Sequence, residues 1–223
     1  MSIVANVRAV RQRVGAAAER SGRDPASVTL VGASSASKGV TDRMVEEAIA
    51  AGLCDFGENV VQEAQARFER LGSRTGDATW HFIGHLQTNK VPAALKLFAI
   101  IHSVDSLRLA EHLSRRATQP VRIFLEVNVS GETSKFGLAP SDVAGTVSDV
   151  ARLPNLELAG LMTVAPAVDN PEAVRPVFRE LRELAHANGL AELSMGMTDD
   201  FEVAIEEGAT MVRVGRALFR GTD

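Results

Sequence analysis

Residues 28–57 read "VTLVGASSASKGVTDRMVEEAIAAGLCDFG" and contain one complete structural unit. "VTLVGA" (28–33) is a short apolar run of the kind that forms a buried strand. Thr41 then offers a helix cap, 41–51 carries a helical pattern, and Gly52 stops it. "CDFG" (54–57) opens a second strand. A strand, a helix and a strand of these lengths predict a parallel pair joined by a crossover helix.

The same alternation continues to the end of the chain. Apolar runs recur at 81–86, 99–104, 121–129, 156–164, 192–196 and 211–219, and helical patterns at 59–71, 89–97, 106–117, 141–152, 171–188 and 200–207 fill the intervals. Asn59, Ser106 and Ser141 read as further caps, and Gly72, Gly189 and Gly208 as further stops. An amphipathic helix over 2–21 precedes the first strand, with Ile3, Val7, Val10, Val14 and Ala17 on one face. Eight strands and seven intervening helices predict a (β/α)8 TIM barrel, a single domain over 1–223 with an extra N-terminal helix. A doubly wound open sheet would carry a Gly-rich turn after its first strand, and "SSASKG" is not G-x-G-x-x-G.

Composition narrows the function. The 223 residues have 24 basic and 28 acidic side chains, a net charge of −4, and the basic residues are scattered, so no nucleic-acid footprint appears. One cysteine, Cys54, excludes an internal disulfide and a thiolate metal cluster and suits a reducing compartment. No apolar stretch is long enough for a membrane span and no signal-type run opens the chain, which predicts a soluble, cytoplasmic protein. There is no tyrosine, so no phenol can serve as acid or base.

In such a barrel the site lies at the C-terminal ends of the strands. Polar residues gather there: Lys38, Glu58 and Asn59, His85 and Gln87, Ser103 and Asp105, Asn128 and Ser130, Thr163, Thr198 and Asp199, and Arg213 to Arg216. "SMGMTDD" (194–200) ends a strand and starts a helix, offering backbone N–H groups and the Thr198 hydroxyl. "VRVGRALF" (212–219) adds Gly215, where backbone can approach a ligand, and two arginines. The two loops read equally as a phosphate cradle or as an ordinary cap with a packing glycine. Lys38, among small residues with no acidic neighbour in sequence, reads as a desolvated amine able to attack a carbonyl, or as a solvated surface lysine. A lysine facing a phosphate cradle across one barrel mouth is what pyridoxal 5′-phosphate (PLP) requires. Other groups offer less. His81, His85 and His102 match no zinc spacing, Glu132 and Lys135 suit a solvated loop, and Asp199–Asp200 suit a helix N-terminus.

Several blocks together resemble the pyridoxal phosphate homeostasis protein family over nearly the whole chain. They are "ASKGV" with Lys38, "DFGENVVQEA" (55–64), "WHFIGHLQTNK" (80–90), "IHSVDS" (101–106), "VNVSGETSKFG" (127–137), "GLMT" (160–163) and 193–221. The resemblance implies a barrel akin to the N-terminal domain of alanine racemase. It implies Lys38 as the Schiff-base lysine, Asn59 beside the cofactor, Met197, Thr198, Gly215 and Arg216 at the phosphate, and Arg213 near the pyridine ring. It further implies a PLP carrier that buffers or delivers the cofactor to PLP-dependent apoenzymes without established catalysis. A racemase-type dimer depends on a second domain for which the chain lacks the length, which predicts a monomer.

Three departures stand out. Val60 replaces a family tyrosine, and Arg216 replaces a threonine, exchanging a hydroxyl contact for a charge-assisted one. Counted back from "GEN", Lys38 falls where the family lysine falls, but counted forward from "VTL" it arrives three residues late. Three extended residues span roughly 10 Å, so the surplus must fold into a bulge or loop for Lys38 to reach the mouth. Two enzymatic alternatives use the same residues. A PLP-dependent racemase would need a second domain and a tyrosine base. A Schiff-base aldolase of a phosphorylated substrate would use the lysine and cradle without PLP.

Overall fold

The computed structural model describes residues 2–132 and 135–220. Eight parallel strands form a closed barrel in chain order: β1 (Thr29–Ala33), β2 (Asp55–Glu58), β3 (Thr79–Phe82), β4 (Ile100–Val104), β5 (Val121–Glu126), β6 (Leu156–Met162), β7 (Glu192–Ser194) and β8 (Met211–Val214). Closure comes from β8 pairing with β1, where Leu30 lies opposite Val212 and Val31 opposite Arg213. The helices between strands are α2 (Asp42–Ala50), α3 (Val61–Leu71), α4 (Val91–Leu97), α5 (Leu107–Arg116), α6 (Val143–Val150), α7 (Arg175–Ala187) and α8 (Phe201–Glu206); α1 (Ile3–Arg20) precedes β1 and α9 (Arg216–Phe219) follows β8.

The extra helix has a defined place. α1 packs against α8, α9 and α2, so it covers the seam where β8 meets β1. Its buried face is Ile3, Val7, Val10, Val14, Ala17 and Ala18, and Asn6 Nδ2 donates to Leu218 O at 2.9 Å. Arg13 sits 4.6 Å over the Phe201 ring.

Two apolar clusters follow from strand alternation. The larger fills the space between strands and helices, with Phe56, Ile101, Ile123, Leu125 and Leu161. The smaller consists of Ile100, Phe124, Met162 and Met211, each one residue out of phase with the first set, and it plugs the barrel axis. His102 stacks on Phe124 at 4.8 Å, so polar side chains share this inner layer.

Some boundaries differ from the sequence reading. The run at 211–219 is not one strand: β8 ends at Val214 and α9 starts at Arg216. β3 covers 79–82 and not 81–86, because at Gly84 the chain presses on the β2 exit, where a Cβ would lie 2.1 Å from Asn59 O. Thr41 and Ser106 cap as expected, accepting from Met44 N and Leu109 N at 3.3 Å. Asn59 and Ser141 do not cap. α3 takes Val60 as its cap residue without a side-chain bond, and α6 follows a 3-10 turn at Pro140–Asp142.

Candidate functional site

Beyond β1 the chain turns instead of extending. Ser34 and Ser35 are buried, Ala36–Lys38 forms a 3-10 turn, and Gly39 takes φ +83 to leave it. The stretch between β1 and Gly39 is thus taken up in one tight turn. Its anchor is Arg67 of α3, which is buried. Arg67 donates to Ser34 O and Glu58 Oε1 through Nη1, to Val40 O at 2.6 Å and to Asp42 Oδ1 at 3.1 Å. Glu63 Oε2 accepts from Ser37 N at 3.1 Å and Ser35 Oγ at 3.3 Å. Ser34 Oγ donates to Glu58 Oε1 at 2.9 Å. From the other side Arg220 Nη2 donates to Lys38 O.

This network corrects two expectations about Lys38. Carboxylates do surround its segment, though they bond serines, backbone and Arg67. Lys38 itself is exposed, so the expected loss of hydration is not found. Burial pushes the Glu58 carboxyl above its ordinary value against the opposing pull of Arg67.

Lys38 lines the rim of a cavity of about 400 Å³, with Ala33, Met197, Thr198, Arg213, Gly215 and Arg216 among the other walls. That volume suits a small organic ligand. The loop after β7 and the start of α9 form one side. Thr198 Oγ1 accepts from Gly215 N at 3.4 Å, tying the two loops together. A Cβ at Gly215 would sit 3.3 Å from Ala33 O, a tight contact that glycine avoids where this wall meets the end of β1. Met197 N is spent on Asp200 Oδ1 at 2.5 Å, and burial raises the Asp200 carboxyl. Arg216 is paired with Asp199 in an exposed ion pair, which a bound anion would have to displace.

Arg213 forms the inner wall. It is buried, and donates to Ser194 Oγ at 2.6 Å and Thr163 O at 2.8 Å. Burial lowers the Arg213 guanidinium to about 10, still protonated at neutral pH. Its other N–H groups have no protein acceptor among the described residues, which leaves donors for a ligand in the cavity it lines. A lysine amine, a hydroxyl, a glycine wall and the guanidinium groups of Arg213, Arg216 and Arg220 around one cavity fit a phosphorylated aldehyde.

Asn59 is set apart. It lines a second cavity of about 160 Å³ with His85, Gln87 and Lys90, and does not line the Lys38 cavity. His85 there stacks on Phe136 at 3.7 Å and faces Asp105 at 3.2 Å.

Comparison with known proteins gives this arrangement a family. The pattern of the alanine racemase N-terminal domain matches residues 3–223. A pyridoxal phosphate homeostasis protein of Pseudomonas aeruginosa is 44% identical, over 100% of this chain and 96% of its own length. The chain belongs to the pyridoxal phosphate homeostasis protein family. Among solved structures, a protein of unknown function from Bifidobacterium adolescentis is 38% identical with a TM-score of 0.86, covering 97% of this chain and 94% of its own. PipY of Synechococcus elongatus with PLP bound is 35% identical with a TM-score of 0.80, covering 94% of this chain and 99% of its own.

Within this homeostasis-family barrel, six of the seven residues singled out by sequence line one cavity, and Asn59 lies outside it. Sequence reading missed Arg67, Glu63 and Arg220, which hold the lysine turn. Arg67 carried a signal: it falls on the same face of α3 as Val61, Ala64 and Leu71, where a charged residue is out of place unless it is paired. No helix among the described residues is long and apolar enough to cross a membrane.

Proposed function

We propose that this single-domain chain (1–223) binds PLP, holds it covalently through Lys38, and acts as a monomeric cytoplasmic buffer or carrier without catalytic turnover. The observation that carries the reading is the one cavity shared by Lys38, Thr198, Gly215, Arg216 and Arg213. When bound, PLP supplies an aldehyde that an unprotonated amine captures with loss of water. Lys38 is the amine at the rim. The Thr198 hydroxyl, the Gly215 wall and Arg216 are placed for the phosphate, and Arg213 offers fixed N–H donors to the ring side. Asn59 has no direct part in this reading.

The position of Lys38 favours a carrier. An exposed amine on a surface turn keeps the bond within reach of water and of a recipient apoenzyme, whereas turnover needs the reacting atoms closed off from solvent. No tyrosine exists to act as a racemase base. Adding PLP to the ligand-free protein should give a near-ultraviolet or visible absorption band that Lys38→Ala abolishes with an unchanged circular dichroism spectrum. A Schiff-base aldolase would capture added PLP on the same lysine; it is told apart by turnover of a phosphorylated sugar with no PLP present, which a carrier does not show.

A further inference from the structure

A chain of buried side chains crosses the barrel interior beneath the cavity. Asp55 Oδ1 lies 3.0 Å from His81 Nε2, His81 Nδ1 lies 2.9 Å from His102 Nε2, and His102 Nδ1 lies 2.7 Å from Ser194 Oγ. Ser194 Oγ lies 2.6 Å from Arg213 Nη1. Asp55 is the first residue of β2 and reaches solvent at the end of the barrel away from the mouth, while His81, His102 and Ser194 are fully buried.

With both rings neutral, the two ends determine every proton between them. A guanidinium only donates and a carboxylate only accepts. Ser194 therefore accepts from Arg213 and turns its own proton to His102 Nδ1. His102 then carries its proton on Nε2 and gives it to His81 Nδ1, and His81 gives its Nε2 proton to Asp55. Every donor points away from the cavity. We propose that Asp55, His81, His102 and Ser194 form a one-directional hydrogen-bond chain of positioning residues that fixes Arg213 as a donor to the cavity ligand.

The groups facing His102 agree with a neutral ring there. Burial, and then the neighbouring His81, Arg213 and Arg122, hold His102 well below the ordinary imidazole value. Protonating His81 would reverse the His81–His102 bond, force the His102 proton onto Nδ1 and leave the Ser194 proton without an acceptor. Thr163 O fixes the second Arg213 nitrogen, so loss of the Ser194 contact would leave the guanidinium free to swing about one bond.

As far as the ligand is concerned the proposal rests on the PLP reading, so its test has a ligand-free arm. In 15N-labelled protein at pH 7 without PLP, both His81 and His102 should show a protonated Nε2 and a bare Nδ1. In Asp55→Asn the terminal group can also donate, so His102, two hydrogen bonds away, should become a mixture of tautomers; Asp55→Glu should restore the single form. A proton on Nδ1 of either ring in the parent protein, or a His102 signal unmoved in Asp55→Asn, overturns the chain. In the second arm PLP is titrated into the parent, Asp55→Asn and Ser194→Ala proteins, both variants first shown to be folded. Asp55 does not touch the cavity, yet its variant should bind about fivefold more weakly, the worth of one hydrogen bond. Equal affinities across the three proteins overturn the positioning role. A parent protein that fails to bind PLP overturns the cofactor reading instead, and the tautomers still decide the chain.

Discussion

Replacing Arg67 with alanine tests whether the Lys38 turn is held from within the fold. Arg67 is buried and bonds Glu58, Asp42, Ser34 O and Val40 O at once. Its loss strands the fully buried Glu58 carboxylate, one of whose oxygens already lacks a partner, with only the Ser34 hydroxyl. Removing one partner of a buried pair costs about 3–5 kcal/mol. At about 2–4 °C per kcal/mol for a chain of this size, Tm should fall by about 6–20 °C. The deficit should depend on pH. Without the cation the folded-state value of Glu58 rises further above its unfolded value, so the penalty is full above the folded value. It shrinks as pH falls toward 4.5, the ordinary carboxyl value. Thermal unfolding by circular dichroism at pH 5 and pH 8, with hydrogen exchange of residues 34–42, reads both effects. Arg67→Met paired with Glu58→Gln should recover most of the loss, since the stranded charge is gone. A single variant within 2 °C of the parent, its turn still protected, would refute the clamp.

Glu126 at the end of β5 is raised from 4.5 to about 7 by burial. With the folded value above the unfolded one, ionisation costs stability above about pH 7, so Glu126→Gln should stabilise by at most about 3 kcal/mol at pH 8. The gain should vanish by pH 4.5 in a pH series of urea unfolding curves. Arg220→Ala removes the donor to Lys38 O but no buried contact; it should change stability by less than about 0.5 kcal/mol while speeding amide exchange in the turn. Gly160→Ala would place a Cβ 1.9 Å from Glu192 O in the β6–β7 pair. That clash should cost more than about 4 kcal/mol or prevent folding, as soluble yield and Tm would show.

The barrel was legible because its signals are local. Short apolar runs between helical patterns mark βα units, and the caps at Thr41 and Ser106 and the stops at Gly52 and Gly208 lie within a few residues of what they end. The errors fall where long-range packing decides. "RALF" reads as a continued strand, but β8 ends opposite the β1 exit and the chain curls into α9. Asn59 follows β2 in the right order for a site residue, yet it serves a different cavity from Lys38. The surplus before Lys38 was visible by counting. Its solution was not, because the clamp comes from Arg67, 29 positions further along the chain, and from Arg220, 182 positions further. The buried His81–His102 pair was equally hidden, since the sequence separates its rings by 21 positions.

The central claim is that the turn after β1 delivers Lys38 to the cavity as the residue that holds PLP. Its most direct test is incubation of the folded protein with PLP, reduction with borohydride, and peptide mapping by mass spectrometry. The account predicts one stoichiometric reduced adduct, located on Lys38 and competed by inorganic phosphate. An adduct on Lys135 or Lys90 in its place, or none in protein that retains its fold, would contradict it.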